Sequence, residues 1–214
     1  MKALRGVGML AVGGVLLPGQ LLAPVPALAS TGSISGGGVW GGVLTLSPYP
    51  CVGGCLLTPA DFTGWFAGSV TAKVGSTIYT ATWPTGLGNN LVPNNVTYNE
   101  SCGTAPALPP DSGNASGQWS VIGGLLTVNG ASAGGAVLVA WVDWGRTDEA
   151  ATITVSAVEL ENGAGAVLVS TSGVGVGAAV FGAPVPTTPG NLPPSCSNEE
   201  SVAVAVAGTY TQPD

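Results

Sequence analysis

The chain has 214 residues, of which 45% are hydrophobic and only 7% are charged, and it contains 35 glycines but no histidine. The lack of histidine excludes Ser-His-Asp catalysis, Cys-His catalysis and histidine-bound metals, so we expect a non-enzymatic protein without a cofactor. Only 4 basic residues stand against 11 acidic ones, giving a formal net charge of −7. This argues against nucleic acid or an anionic membrane as a partner, because neutralising phosphates requires clustered Lys and Arg.

Residues 1–29 predict a secretory signal peptide. Lys2 and Arg5 precede an uncharged apolar stretch, and Ala27-Leu28-Ala29 supplies a cleavage site of the small-x-small type. An uncleaved anchor helix is the alternative, and it is disfavoured because glycines and a proline interrupt the apolar run before it reaches a spanning length. We therefore expect one secreted, extracellular domain over residues 30–214 with no transmembrane segment. It would keep two basic residues against 11 acidic ones, a net charge near −9.

The longest apolar run after the leader, residues 136–144, predicts a central β-strand. Its odd-numbered and even-numbered side chains point to opposite faces, and both faces carry large apolar residues. Trp144 shares one face with Leu138 and Val142. A strand with two apolar faces is buried at the centre of a sandwich or forms part of a barrel wall.

The next segment predicts a half-buried strand that contains a bulge. Residues 151–156 alternate strictly between apolar and polar, but Val158 and Leu160 fall on the opposite parity. One extra residue near Ala157 and Val158 would return the apolar side chains to the core. We therefore predict a β-bulge at that point.

Two Asn-Gly pairs predict β-hairpins. Asn162-Gly163 can adopt the two positive φ angles of a type I′ turn, with residues 166–169 as the partner strand. Asn129-Gly130 links two further apolar runs in the same way.

Eight more short strands are predicted from apolar or alternating segments bounded by Gly, Pro, Ser and Asn. They are residues 38–46, 63–74, 77–83, 95–101, 117–122, 125–128, 174–181 and 201–210. No segment has a sustained helical period. We predict a single-domain all-β fold, an antiparallel β-sandwich or β-barrel of about ten strands, stapled by disulfides.

Four cysteines, Cys51, Cys55, Cys102 and Cys196, fit an oxidising compartment and two disulfides, for which three pairings exist. We favour Cys51 with Cys55 across a flexible Val-Gly-Gly segment, and Cys102 with Cys196. The second bridge would close a loop of about 95 residues and contribute roughly 4–5 kcal/mol in the chain-entropy model. A zinc site is disfavoured because the chain has no histidine and lacks the paired C-x-x-C spacing of structural zinc.

Carboxylates are the remaining candidates for acid–base chemistry. Asp143, Asp148 and Glu149 flank the corner after the central strand. Glu159 and Glu161 share one strand face, so two carboxyls at the separation found in glycosidases are geometrically feasible. Calcium binding by the first three is another alternative, since hard cations take oxygen ligands. We favour a solvated acidic rim over both.

Six tryptophans could include a stacking surface for a sugar or another flat ligand. Trp65 has the parity of Ser69 and Lys73, so its side chain is predicted to face outward. We name Trp65 and Trp144 as candidate ligand-binding residues. The structural alternative for all six is a position in the core or at a barrel mouth.

Several segments resemble small secreted β-rich proteins of unknown function that are common in actinobacteria. The resemblance is carried by the Ala27-Leu28-Ala29 leader end, Thr63-Gly-Trp-Phe-Ala-Gly, Tyr98-Asn-Glu-Ser-Cys102 and Leu138-Val-Ala-Trp-Val-Asp-Trp. It implies no activity that can be assigned to residues. The Gly-, Thr- and Trp-rich strands are also similar to those of streptavidin-type barrels, whose site we do not carry over.

Three functions from different classes follow from the sequence. The first is a non-enzymatic extracellular or cell-surface-associated domain that acts through contacts with an unknown extracellular protein. The second is a module that binds a small ligand or a glycan through exposed tryptophan. The third and least favoured is a carboxylate-dependent glycoside hydrolase.

Overall fold

The computed structural model describes residues 30–46, 55–57, 62–101, 112–147, 150–181, 185–186 and 202–214. Within these ranges all regular secondary structure is β-strand. The strands are β1 (Ser30–Thr31), β2 (Ser33–Leu46), β3 (Cys55–Leu57), β4 (Phe62–Val74), β5 (Thr77–Trp83), β6 (Leu91–Ser101), β7 (Ser112–Val128), β8 (Ala131–Thr147), β9 (Ala150–Asn162), β10 (Val167–Thr171), β11 (Gly175–Phe181), β12 (Val185–Pro186) and β13 (Val202–Gln212). The all-β prediction is confirmed. In these ranges no helix has the length and apolar character needed to span a membrane.

The thirteen strands form one sheet that is antiparallel except for the short pairing of β1 with β10. Following hydrogen-bonded neighbours from β9 gives the order β11, β13, β2, β4, β5, β7, β8 and then β9 again. Each strand in this ring therefore has a partner on both sides. The ring separates an interior face from an outer face, and alternate residues of every strand belong to one or the other.

One position of the ring is shared by two consecutive strands, β5 and β6. Along β4, the last residue paired with β5 is Gly68, which pairs with Trp83. Gly64 of β4 pairs instead with Leu91 of β6. Between them, the buried side chain of Asn90 takes the place of a strand residue. Its Oδ1 accepts from the backbone N–H of Phe66 at 2.7 Å, and its Nδ2 donates to the Phe66 carbonyl oxygen at 2.9 Å. The amide thus completes the hydrogen-bond ladder of β4 where no strand does.

The bulge in β9 is confirmed. Trp141 pairs with Ala157 and Val142 pairs with Val155, so Ser156 is the extra residue on β9. Because of it, residues on both sides of the parity change point into the ring. Val155, Val158 and Leu160 are almost fully buried there.

The hairpin after β9 is also confirmed, but its predicted turn type is wrong. The positive φ lies at Gly165, not at Asn162 or Gly163. Asn162 N–H donates to the Ala166 carbonyl, and its Oδ1 accepts from the N–H groups of Ala164 and Ala166, each at 3.0 Å. The side chain of Asn162 therefore stabilises a longer loop with a glycine at its left-handed position.

The other Asn-Gly pair has the backbone expected of a type I′ turn. Asn129 and Gly130 have φ of 48° and 83°, and they join β7 directly to β8. The two strands predicted at 117–122 and 125–128 are one continuous strand, β7. A register shift between Val121 and Gly124 separates them, with Gly123 at a positive φ.

Buried side chains fill one end of the ring interior. Ile34 pairs with Ala72 at this end of β2 and β4, and the indole of Trp83 packs edge-on against Phe66 with ring centroids 5.8 Å apart. Leu160 is fully buried in the same cluster. Toward the other end, where Leu44 is on β2, the interior is not filled.

Several predictions lie outside the described residues. These are the signal peptide over 1–29, the cysteines Cys51, Cys102 and Cys196, and the carboxylates Asp148 and Glu149. Cys55 is described only through its backbone in β3, which pairs with Glu100 of β6. Disulfide pairing therefore stays a prediction.

Candidate functional site

An apolar cavity of about 100 Å³ lies inside the ring and is only partly enclosed. Aromatic side chains from five strands of the ring form much of its wall, and aliphatic residues form the rest. The aromatic lining residues are Trp40, Phe62, Phe66, Trp119, Trp144 and Tyr210. No lining residue among the described ones carries a charge.

Strand β8 supplies one side of the cavity through four successive inward positions, Leu138, Ala140, Val142 and Trp144. This is the face that the alternation in the sequence assigned to Leu138, Val142 and Trp144, and the assignment is confirmed. Ala140 is the smallest of the four. Since its neighbours are large, the short side chain at this position helps to leave the space open.

Aromatic rings in the wall lie against glycines of neighbouring strands. The ring of Phe62 occupies the place where a side chain at Gly42 or Gly64 would lie, and a Cβ on Gly42 would come within 2.8 Å of its Cζ. Trp40 occupies the corresponding place beside Gly208. The glycines therefore allow the rings to lie close to the wall rather than across the cavity.

The rings of Phe62 and Trp119 meet edge to face within the wall. Their ring centroids are 5.0 Å apart, and the planes are inclined by 88°. This edge-to-face arrangement is a favourable one for aromatic pairs and contributes about 0.5–1.5 kcal/mol beyond the burial of area. It fixes two aromatic lining residues without help from a ligand.

Among the described lining residues, the hydroxyl of Tyr210 is the one polar side-chain group that can accept a hydrogen bond. It donates its proton to Oε1 of Gln212 at 2.5 Å. Gln212 is only 2% exposed, and its Nε2 has no hydrogen-bond partner among the described residues. Burial raises the pKa of Tyr210 well above its usual value, so the hydroxyl stays protonated.

Gly175 accommodates the pair formed by Tyr210 and Gln212. A Cβ at this position would lie 2.9 Å from Tyr210 Cε2 and even closer to Gln212 Oε1. Gly173 lies beside the other end of the amide, since a Cβ there would be 3.1 Å from Nε2. Both glycines precede or begin β11, which is hydrogen-bonded to β13.

The two tryptophans predicted to bind ligand lie on opposite faces of the ring. Trp144 lines the cavity, whereas Trp65 faces outward as predicted and is 42% exposed. Sequence reasoning missed Trp40 and Trp119. Trp40 has the same parity as the buried Leu44 and Ile34, so alternation along β2 could have placed it inside.

Asp143, Glu159 and Glu161 are not among the residues that line the cavity. Asp143 is exposed on the outer face of β8. Glu159 is on β9 and pairs with Val139 of β8, which lies four residues from Asp143. That offset is about 13 Å at 3.3 Å per residue, too far for a catalytic pair. Glu159 accepts from the Ser170 hydroxyl at 3.2 Å.

Glu161 shares the outer face with Glu159. Its pKa is raised by partial burial and, to a lesser degree, by the negative charge of Glu159. Within the described ranges no group of three potential metal-binding side chains comes together. The acidic residues there fit the solvated rim that the sequence predicted better than a cleft.

No protein-family model, no curated protein and no solved structure was found to match the chain. The resemblance to secreted actinobacterial proteins and the expected extracellular location therefore stay predictions.

Proposed function

We propose that this protein is a secreted, barrel-type binding protein for a small, largely apolar ligand that occupies the cavity inside the ring. The observation that carries the proposal is the cavity, because protein interiors are otherwise packed to the density of organic crystals. Apolar pockets with a few polar groups, including those in the mouths of β-barrels, are the usual sites of small-molecule binding. An acidic rim of outer-face carboxylates would keep such a protein soluble.

The size of the cavity sets the size of the ligand. An engineered apolar cavity of about 150 Å³ stays dry and binds benzene, so about 100 Å³ that is open on one side fits a single ring or a short branched chain. At about 24 cal/mol per Å³, an empty cavity of this size costs roughly 2 kcal/mol of stability. A ligand that filled it would restore packing contacts worth a similar amount.

The chemistry of the wall limits the ligand class. A sugar would lose the hydration of its hydroxyl groups, and the lining side chains offer too few polar partners to replace it. An ion would be disfavoured more strongly, since no described lining side chain carries a charge. The binding-module hypothesis is therefore proposed for an apolar ligand held inside, with Trp144 in contact and Trp65 outside the site.

A cavity-filling substitution tests this function. Ala140→Leu adds three carbon atoms to the cavity wall, whereas Ala178→Leu adds the same atoms to the exposed outer face of β11. Thermal unfolding of the purified protein with toluene in sealed cells gives the readout, because a ligand that binds only the folded state raises Tm. At ten times Kd the stabilisation is about 1.4 kcal/mol, or roughly 3–6 °C for a domain of this size.

We expect toluene to raise the Tm of the wild type and of Ala178→Leu but not of Ala140→Leu. Acrylamide quenching of tryptophan fluorescence, with and without toluene, provides a second readout. Absence of any toluene effect on the wild type, or an equal effect on Ala140→Leu, would show that the cavity is not a binding site.

The outer face supports a second candidate, contact with a protein that presents an apolar surface. A row of paired residues, Val180, Ala207, Gly41 and Trp65, crosses β11, β13, β2 and β4. Val180 is 64% exposed, and Trp65 lies over Gly41. Exposed apolar patches of this kind are typical of interaction sites. Trp65→Ser would weaken capture of such a partner and leave toluene binding unchanged.

A further inference from the structure

We infer that Asn162 is a site of spontaneous covalent modification, at which the side-chain amide is lost as ammonia and a carboxylate replaces it. The reaction is the cyclisation of an Asn-Gly pair, and water is its only co-reactant. It concerns the loop between β9 and β10 and is independent of the ligand proposed for the cavity. The product adds a negative charge directly after Glu161 in the chain.

The reaction begins when the backbone nitrogen of Gly163 attacks Cγ of Asn162. The new N–Cγ bond closes a succinimide ring, the Gly163 N–H proton passes to solvent, and Nδ2 takes up a proton and leaves as ammonia. Water then adds to one of the ring carbonyls and opens the ring to aspartate or isoaspartate. Glycine favours the first step because it has no side chain to obstruct the attack and restricts the backbone least.

The sequence contains a matched comparison for this site. The tripeptide Asn-Gly-Ala occurs at residues 129–131 and again at residues 162–164. The residues that follow each asparagine therefore give the two sites nearly the same intrinsic reactivity. A large difference between them in the folded protein has to come from the structure.

The side chain of Asn162 is folded over its own downstream backbone. Its Oδ1 accepts from the N–H groups of Ala164 and Ala166, each at 3.0 Å. Since Ala164 directly follows Gly163, this Asx-type turn holds the side-chain carbonyl beside the nitrogen that attacks it. No hydrogen bond from the Gly163 N–H is found among the described residues, so loss of its proton breaks no interaction there.

The same two N–H groups stabilise the intermediate of the attack. Negative charge develops on Oδ1 as the nitrogen adds to Cγ, and two backbone donors already point at this atom at the distance found in oxyanion holes. Residues 163–166 are all exposed, so water reaches the ring that forms. The loop thus holds both the attacking nitrogen and the oxyanion donors next to one amide.

Asn129 is held in a different way. Its φ is 48°, its N–H donates to the Ile78 carbonyl at 2.8 Å, and its Oδ1 accepts from the Ile78 N–H at 2.9 Å. Ile78 belongs to β5, so the side chain is bound to a neighbouring strand instead of its own turn. Ring closure at Asn129 has to break this hydrogen bond first, and only one printed donor contacts its Oδ1. We therefore expect Asn129 to react much more slowly.

The experiment incubates the purified protein at mildly alkaline pH, once folded and once unfolded in guanidinium chloride. Mass spectrometry of peptic peptides follows the conversion of each asparagine over time. In the folded protein we expect Asn162 to react at least about tenfold faster than Asn129, since one oxyanion donor is worth about 10²–10³ in a preorganised site and less in an exposed loop. In the unfolded protein the two rates should agree within about threefold, because little of either arrangement persists.

Each other outcome overturns the inference. Equal rates in the folded protein, or faster reaction at Asn129, would show that the loop does not promote the reaction. The same ratio in folded and unfolded protein would trace the difference to the preceding residue, which is Glu161 at one site and Val128 at the other. If folding suppressed the reaction at both asparagines, the hydrogen bonds to Oδ1 would protect Asn162 instead of activating it.

Discussion

Asn90 offers the sharpest test of how this sheet is held together. Its side chain satisfies both backbone polar groups of Phe66, and both residues are buried, at 3% and 4% exposure. Asn90→Ala removes the two hydrogen bonds and leaves an N–H and a C=O without partners. Each such group costs about 1–3 kcal/mol, so we expect a loss of about 2–6 kcal/mol for the two. This is a large part of the 5–15 kcal/mol that stabilises a typical domain.

Urea unfolding followed by circular dichroism measures the loss directly. The neighbouring Asn89→Ala is the matched control, because Asn89 is exposed and its replacement should change the free energy of unfolding by no more than about 0.5 kcal/mol. A loss of about 2–6 kcal/mol corresponds to a fall in Tm of roughly 4–24 °C for a domain of this size. Equal effects of the two substitutions would refute the role assigned to Asn90.

Asn90→Asp adds a test of the hydrogen-bond direction. A protonated carboxyl can accept from the Phe66 N–H and donate to its carbonyl oxygen, whereas an ionised one places two oxygens against each other in a buried position. Its folded-state pKa should therefore be raised above the unfolded value. The stabilisation is then fully present below the unfolded pKa and is lost as the pH rises through the folded pKa. A stability that ran parallel to that of the wild type from acidic to neutral pH would contradict this reasoning.

Three further predictions concern the packing, a turn and a carboxyl. Gly124→Ala should cost about 1–3 kcal/mol in urea unfolding, because the new Cβ would lie 2.6 Å from Trp83 Cε2, and Trp83→Phe should reduce that cost. Asn129→Ala should cost about 1–2 kcal/mol, since φ is 48° and Oδ1 accepts from a backbone N–H, while Asn129→Gly should cost less. Glu161→Gln should match the wild type at acidic pH and be more stable at neutral pH. The raised pKa of Glu161 means that its stabilisation is lost as the pH rises, which unfolding curves at several pH values will show.

The sequence was sufficient for the elements whose pattern is local. In β9 the change of parity before Val158 can be read directly, and it has only one economical explanation in a strand with one buried face, which the structure confirms. Turn type was harder, because an Asn-Gly pair permits a type I′ turn without requiring it. The side chain of Asn162 has backbone N–H groups within reach and forms a longer loop, whereas Asn129 adopts the tight turn and accepts from Ile78 N–H.

The cavity could not be predicted because its wall is assembled from distant parts of the chain. Trp40, Trp119, Trp144 and Tyr210 lie on different strands and meet only when the ring closes. Parity predicts which side of its own strand a residue faces, but it does not predict which residues face each other across an interior. Trp144 was correctly assigned to an apolar face for this reason, and its partners in the wall were not identified.

The glycines are a second reason why the cavity could not be predicted from the sequence. The start of β2 reads Ser-Ile-Ser-Gly-Gly-Gly-Val-Trp, and a run of glycines has no apolar period, so the strand was predicted to begin at Gly38 although it begins at Ser33. Yet the inward glycines determine where the interior has room, since the ring of Phe62 occupies the place that a side chain at Gly42 would take. A residue without a side chain leaves no hydrophobic signal in the sequence, but it decides how close an aromatic ring can come to the wall. The space available to a ligand therefore depends on glycines, which contribute nothing to the hydrophobic pattern from which strands are predicted.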